Sequence, residues 1–177
     1  MKTRDLTVIA IMAAILCIAA PLSVPIGPIP ISLATFAVYL AGALLGWKRG
    51  TAAVLIYILL GAVGLPVFSG FEGGVHKLIG VTGGYIVGYL PCAAIVGLAA
   101  DRWGESRKWT IPVAMVVGTV VLYAIGTAWF MIQMNRSLAA ALGTCVLPFL
   151  PGDAVKIVVA ALLSFLLRDR LKSLLNA

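Results

Sequence analysis

Three stretches of this chain, residues 51–65, 78–100 and 110–134, contain no acidic or basic side chain. A helix needs roughly 20 predominantly apolar residues to cross the hydrocarbon core of a bilayer. Runs this long and this bare of charge have few other uses. The rest of the chain agrees: 62% of its 177 residues are hydrophobic and only 11% are charged. That leaves too few polar side chains to coat a water-facing surface. The sequence therefore predicts an all-α membrane protein, and its length suits a single integral membrane domain spanning 1–177.

Six apolar segments are expected to span the membrane, near residues 6–20, 31–46, 51–65, 78–100, 110–134 and 148–167. The second and third are short and are joined by Trp47-Lys48-Arg49-Gly50, which predicts a tight helical hairpin whose turn is eased by Gly46 and Gly50. The net charge of +7 does not point to nucleic acid, because the basic residues sit in short clusters between apolar runs and not on one face. With the N-terminus in the cytoplasm, ten basic residues lie inside, Lys77 and Arg136 lie outside, and Lys156 lies within the last segment. The positive-inside rule then gives an N-in, C-in topology. Lys2 and Arg4 followed by an apolar stretch would also suit a secretory signal. The cleavage context Leu16-Cys17-Ile18-Ala19-Ala20 is a poor match, which favours a retained helix.

Two outer connections are unusual. Residues 21–30 carry prolines at 21, 25, 28 and 30, which forbid a regular helix and favour an extended path. Residues 66–77 read P-V-F-S-G-F-E-G-G-V-H-K, aromatic and glycine-rich. Irregular backbone is tolerated at membrane depth only where it is buried in protein or lines a cavity, so this segment is expected to act as a lid or pocket wall.

Ionisable residues inside a span usually face the bundle interior and mark a substrate path. Asp153 and Lys156 are such a pair, three residues apart and so on one helical face. Pro151 suits the first turn of the last helix, which places Asp153 where the helix dipole favours negative charge. The competing reading is that Lys156 snorkels to the interface and Asp153 only caps its helix. In Gly80-Val81-Thr82-Gly83-Gly84-Tyr85-Ile86-Val87-Gly88, the glycines at 80, 84 and 88 form a packing stripe. Thr82, Gly83 and Gly84 at the helix start can present backbone N–H groups to an anion, with Tyr85 beside them. Ala10 and Ala14 are spaced for close approach of another helix. Cys17, Cys92 and Cys145 lie in apolar runs with no ligand spacing, and His76 is the only histidine, so no metal site is expected. There is no phosphate-binding loop for ATP and no nucleophile–base or two-carboxylate arrangement. The chain is expected to bind a small molecule, not to transform it.

Several of these motifs, taken in order, resemble the BioY family. Pro30-Ile31-Ser32-Leu33 with Thr35-Phe36, then Leu40-Ala41-Gly42 and Leu45-Gly46, is similar to that family's second-helix pattern. Gly64-Leu65-Pro66-Val67-Phe68 with Gly70, Gly73 and Gly74 resembles the loop after its third helix, and Thr82-Gly83-Gly84-Tyr85 and Pro148-Phe149-Leu150-Pro151-Gly152-Asp153 with Lys156 resemble its other signatures. Val81 departs from a common Pro, and Ala34 from a common Gln.

The resemblance implies the biotin-binding S component of an energy-coupling-factor (ECF) vitamin importer in a prokaryotic cell membrane. It further implies a six-helix S-component fold with its pocket near the outer face. Asp153, Lys156, Tyr85, Thr82, Gly83, Gly84, Phe68, Gly73, Gly74 and Thr35 are the expected substrate contacts. Asp153 would accept from the ureido ring, with Lys156 orienting it. Ala10 and Ala14 are the expected interface with a transmembrane coupling subunit, and two cytoplasmic ATPase subunits would use the ATP, so the chain needs no cofactor. The alternative is a stand-alone secondary carrier or facilitator for biotin or another small organic acid. A membrane enzyme ranks last, for want of any catalytic constellation.

Overall fold

The computed structural model describes residues 3–25, 28–104 and 106–176, with the side chains of 169 and 171–176 excepted. Lys2 and the side chain of Lys172, which entered the charge asymmetry, lie outside the described residues, as do Ile26 and Gly27 of the proline-rich connection. Seven helices are present among the described residues: α1 (Thr3–Ala19), α2 (Ala34–Ala62), α3 (Val75–Ile79), α4 (Gly83–Trp103), α5 (Thr110–Met134), α6 (Leu138–Cys145) and α7 (Leu150–Asn176). Four are long and apolar enough to cross a membrane: α2, α4, α5 and residues 150–168 of α7.

The count differs from the six expected helices for two reasons. The second and third apolar segments follow each other without an intervening loop, as two helical limbs of α2 broken only at Gly46, and the two short helices α3 and α6 occupy connections. The segment expected over 78–100 starts as a helix only at Gly83, because Gly80 is extended and ends α3. Ile31 and Ser32 are not helical either. They pair as strand β2 (Ile31–Ser32) with β1 (Ser23–Val24), the extended path that the prolines require.

Within α2 the chain reverses at a single residue. Gly46 has φ 78° and ψ −180°, a backbone region essentially reserved for glycine, while Trp47 to Gly50 are helical. Gly50 does not form the turn. It lies against the Ala41 carbonyl and within 3.1 Å of Gly42 Cα, measured from an added Cβ. Residues nine apart on a straight helix would be roughly 13 Å apart, so the two limbs of α2 lie side by side. The Asp101 carboxylate of α4 accepts from Trp47 N–H at 3.0 Å and thereby caps the second limb. An added Cβ on Gly46 would collide with that same carboxylate. Gly46→Ala is accordingly expected to cost more than the roughly 1–3 kcal/mol of backbone strain alone. Gly64, at φ 111° with nothing within 4 Å of its added Cβ, is the comparison. Thermal melts in detergent should show Gly46→Ala unfolding earlier than Gly64→Ala, and equal melting would contradict the elbow assignment.

Small residues let the long helices approach closely. Gly42 and Gly46 meet Ala93, Val96 and Gly97 of α4, while Gly84, Gly88 and Gly118 seat α4 on α5 beside Trp129, Leu122 and Cys92. Ile9, Met12, Ala13 and Leu16 bury one face of α1, which packs on α2, and α7 closes the bundle against α2 and α5. Large apolar side chains such as Leu59, Val120, Leu162 and Leu166 point outward. An apolar exterior over a tightly packed small-residue interior suits a bilayer as solvent.

Candidate ligand-binding site

At the end of the bundle opposite the Gly46 elbow, α2, α4, α5 and α7 surround a cavity of about 90 Å³. A polar cluster around Asp153 forms one part of its lining. Asp153 is only 4% exposed, and its Oδ1 lies 2.8 Å from Lys156 Nζ and accepts from Thr35 Oγ1 at 3.2 Å. Lys156 Nζ also donates to Thr35 Oγ1 at 3.1 Å, and Tyr123 OH donates to Asp153 Oδ2 at 2.5 Å. Three helices thus converge on one carboxylate. α7 begins at Leu150, with Pro151 in its first turn, so Asp153 and Lys156 fall on the inward face one turn apart. The ammonium is held between Thr35 of α2 and Asp153, so it is engaged by protein groups inside the bundle.

Tyr123 was absent from the sequence-derived site, and a signal for it exists. Thr119, Tyr123 and Thr127 recur every four residues along α5, a polar stripe within an otherwise apolar span. Each member bonds a different partner: Thr119 the Tyr39 hydroxyl at 2.5 Å, Tyr123 the Asp153 carboxylate, and Thr127 the Tyr85 hydroxyl at 3.2 Å. The stripe ties α5 to α2, α7 and α4 through hydroxyl groups.

The walls are mostly apolar and aromatic, with Phe68, Tyr85, Ile86, Leu122 and Phe149 among them. Phe68 comes from the connection between α2 and α3. Its ring stands edge-on to Tyr57 at 5.6 Å and over Gly61, where any side chain would displace it. A bridge from Phe68 to Glu72, with Phe68 N–H donating to the Glu72 carbonyl at 2.8 Å, closes this segment on itself. Gly70 N–H donates to Pro21 O at 3.2 Å, joining it to the segment between α1 and β1. Lys77 also lines the cavity and is ion-paired with Glu72.

Of the ten expected contact residues, Asp153, Lys156, Thr35, Tyr85, Thr82 and Phe68 line this cavity. Gly73, Gly74, Gly83 and Gly84 do not. Gly84 seats the Trp129 side chain, and Gly83 and Gly73 pack against the Leu78 and Leu65 carbonyls. Gly74, at φ 98°, starts α3 and donates its N–H to Gly61 O at 2.6 Å. At the α4 start, Gly83 N–H donates to Gly80 O and Tyr85 N–H to Thr82 O, both at 3.0 Å, so part of the expected anion cradle is occupied by backbone. Gly80, expected to continue the packing stripe, instead accepts from Trp129 Nε1 at 2.9 Å. Ala10 and Ala14 do not line the cavity and lie on the exposed face of α1.

Known proteins share this architecture over nearly its full length. The family model described as the BioY family matches residues 1–173. Among similar proteins, the biotin transporter BioY of Thermotoga maritima is 39% identical over 166 residues, covering 93% of this chain and 96% of the relative. The probable biotin transporter BioY of Pyrococcus horikoshii is 39% identical over 164 residues, with the same coverage of both chains. A crystal structure at 2.1 Å of the S-component for biotin from an ECF-type ABC transporter superposes with a TM-score of 0.88 at 29% identity, covering 96% of this chain and 95% of that one. The apolar helices and these transporter relatives make it a multi-pass membrane protein, and the chain belongs to the BioY family.

Proposed function

We propose that this chain is the substrate-capturing S component of an ATP-driven importer in the prokaryotic plasma membrane, and that it binds biotin in the cavity above Asp153. The observation that carries this reading is the buried Asp153 carboxylate, held by Thr35, Tyr123 and Lys156 in a pocket with largely apolar and aromatic walls. An ionised carboxylate offers about four lone-pair sites, and three are engaged, which leaves acceptor capacity for a ureido N–H. Lys156 has three donor hydrogens and two engaged acceptors. Its third reaches for the ureido carbonyl. Phe68, Tyr85 and Phe149 enclose the thioether ring and chain, and Lys77 supplies a second cation for the valerate carboxylate. No group in the cavity is asked to make or break a covalent bond.

The two limbs of α2, with α1, α4, α5 and α7, make six traversals in this reading. Arg49 at the elbow, ion-paired with Asp5 of α1 at 2.8 Å, then lies on the cytoplasmic side with both termini. The cavity faces outward. A transmembrane coupling subunit docks on the Ala10 and Ala14 face, and two ATPase subunits drive release.

Titration calorimetry on the isolated chain in detergent tests the substrate assignment. Saturable heat is expected with biotin, and weaker binding with biotin methyl ester, whose carboxylate is masked from Lys77. Heat with a different vitamin and none with biotin would overturn the substrate and leave the fold untouched.

A further inference from the structure

A second concavity lies on the outer surface at the elbow end, between the last turns of α4 and the first turns of α5. Its volume is about 480 Å³. Ala99 and Ala114 leave the space, and Ile95, Leu98, Val113 and Val117 form its apolar walls. At its rim stand Arg102 and Arg107 with Trp103 and Trp109. Both tryptophans are substantially exposed, at 48% and 61%. Arg102 and Arg107 both line this edge of the groove. Arg107 N–H donates to Trp103 O at 2.8 Å, and Thr110 Oγ1 donates to Arg107 O at 2.7 Å. The neighbouring Asp101 is turned away, onto the Trp47 N–H of the elbow.

These features are layered in the order of a lipid leaflet. Exposed tryptophans mark the headgroup level of a membrane protein. The guanidinium groups beside them suit a phosphate, which they can hold in a fork. The apolar trough runs from there toward the middle of the bundle. Basic pockets between transmembrane helices on the cytoplasmic side are suited to anionic headgroups. We propose that this groove binds one anionic glycerophospholipid of the adjacent leaflet, its phosphate between Arg102 and Arg107 and an acyl chain against Leu98, Val113 and Val117. The inference rests on the orientation proposed above, with the elbow in the cytoplasm, and not on the identity of the substrate. It also leaves the coupling face on α1 free, because α1 packs on α2 while the groove belongs to α4 and α5.

Native mass spectrometry of the delipidated full chain, titrated with phosphatidylglycerol or phosphatidylcholine of matched acyl chains, tests the proposal. Wild type is expected to retain phosphatidylglycerol roughly tenfold better, and Arg102→Gln/Arg107→Gln to bring the ratio near one. Val113→Trp, which fills the trough without changing charge, is expected to lower retention of both lipids. Melting curves on the same preparations should be unchanged, which separates loss of the groove from loss of the fold. Equal retention of the two lipids by wild type would overturn the proposal, as would a preference that survives in the arginine variant. Competition by glycerol phosphate as effective as by the whole lipid would make this a headgroup-only anion site and equally overturn it. So would loss of the bound lipid when the coupling subunit is added, since the groove would then belong to a protein interface.

Discussion

Replacing Asp153 by Asn is expected to weaken biotin binding by about one to two orders of magnitude. Hydrogen bonds to a charged acceptor contribute about 1.5–3 kcal/mol against roughly 1 for neutral ones, and about 1.4 kcal/mol is a factor of ten. Asn keeps the size and one acceptor oxygen, but it offers Tyr123 and Lys156 no negative charge. Because the Lys156 side chain is only 12% exposed, the variant also strands a cation in a dry site. Removing one partner of a buried pair costs about 3–5 kcal/mol, so the apo variant should melt earlier. Lys156→Met is expected to weaken binding as well. The double variant should lose less than the sum of the two and recover part of the melting temperature, because the pair acts as one unit. Binding isotherms and melting curves on the same preparations decide the matter. If Asp153 serves only its helix start, both single variants will bind biotin as wild type does, and the pair drops out of the site.

Ala10→Trp or Ala14→Trp is expected to abolish ATP-dependent uptake while leaving biotin affinity unchanged. Both alanines lie on the exposed face of α1, flanked by the exposed Ile11, Ile15 and Ile18, while the opposite face carries Ile9, Met12, Ala13 and Leu16 into the core. An indole on the outer face leaves the bundle's own packing intact but prevents another helix from approaching closely. Co-purification of the coupling subunit with the variant chain is the direct measurement. Assembly and uptake at wild-type levels would reduce the four-residue spacing of the alanines to coincidence, with the calorimetric result unaffected.

Much of this protein was legible along the chain because the relevant forces are local. Uncharged runs become helices in hydrocarbon, since each backbone group must be satisfied within its own segment. The prolines at 21, 28 and 30 exclude helix around the β1–β2 pair for an equally local reason. Asp153 and Lys156 are three residues apart, so their meeting follows from helical geometry alone. The reversal at residues 46–50 was also expected, but not its form. A turn of several residues was anticipated, whereas Gly46 alone makes it, because the Asp101 carboxylate of α4 caps the second limb. That carboxylate is 54 residues away from Trp47.

Tertiary packing decided which polar groups share the cavity. Thr35 and Tyr123 reach Asp153 across separations of 118 and 30 residues, distances over which spacing in sequence carries no information about contact. The glycines show the same limit from the other side. Gly83 and Gly84 sit beside Thr82 and Tyr85 in the chain, yet only the latter two line the cavity. The missing side chains of Gly83 and Gly84 instead let Leu78 and Trp129 pack closely. A glycine permits close approach without naming what approaches it, and only the folded bundle determines whether that is a ligand, a backbone carbonyl or a tryptophan.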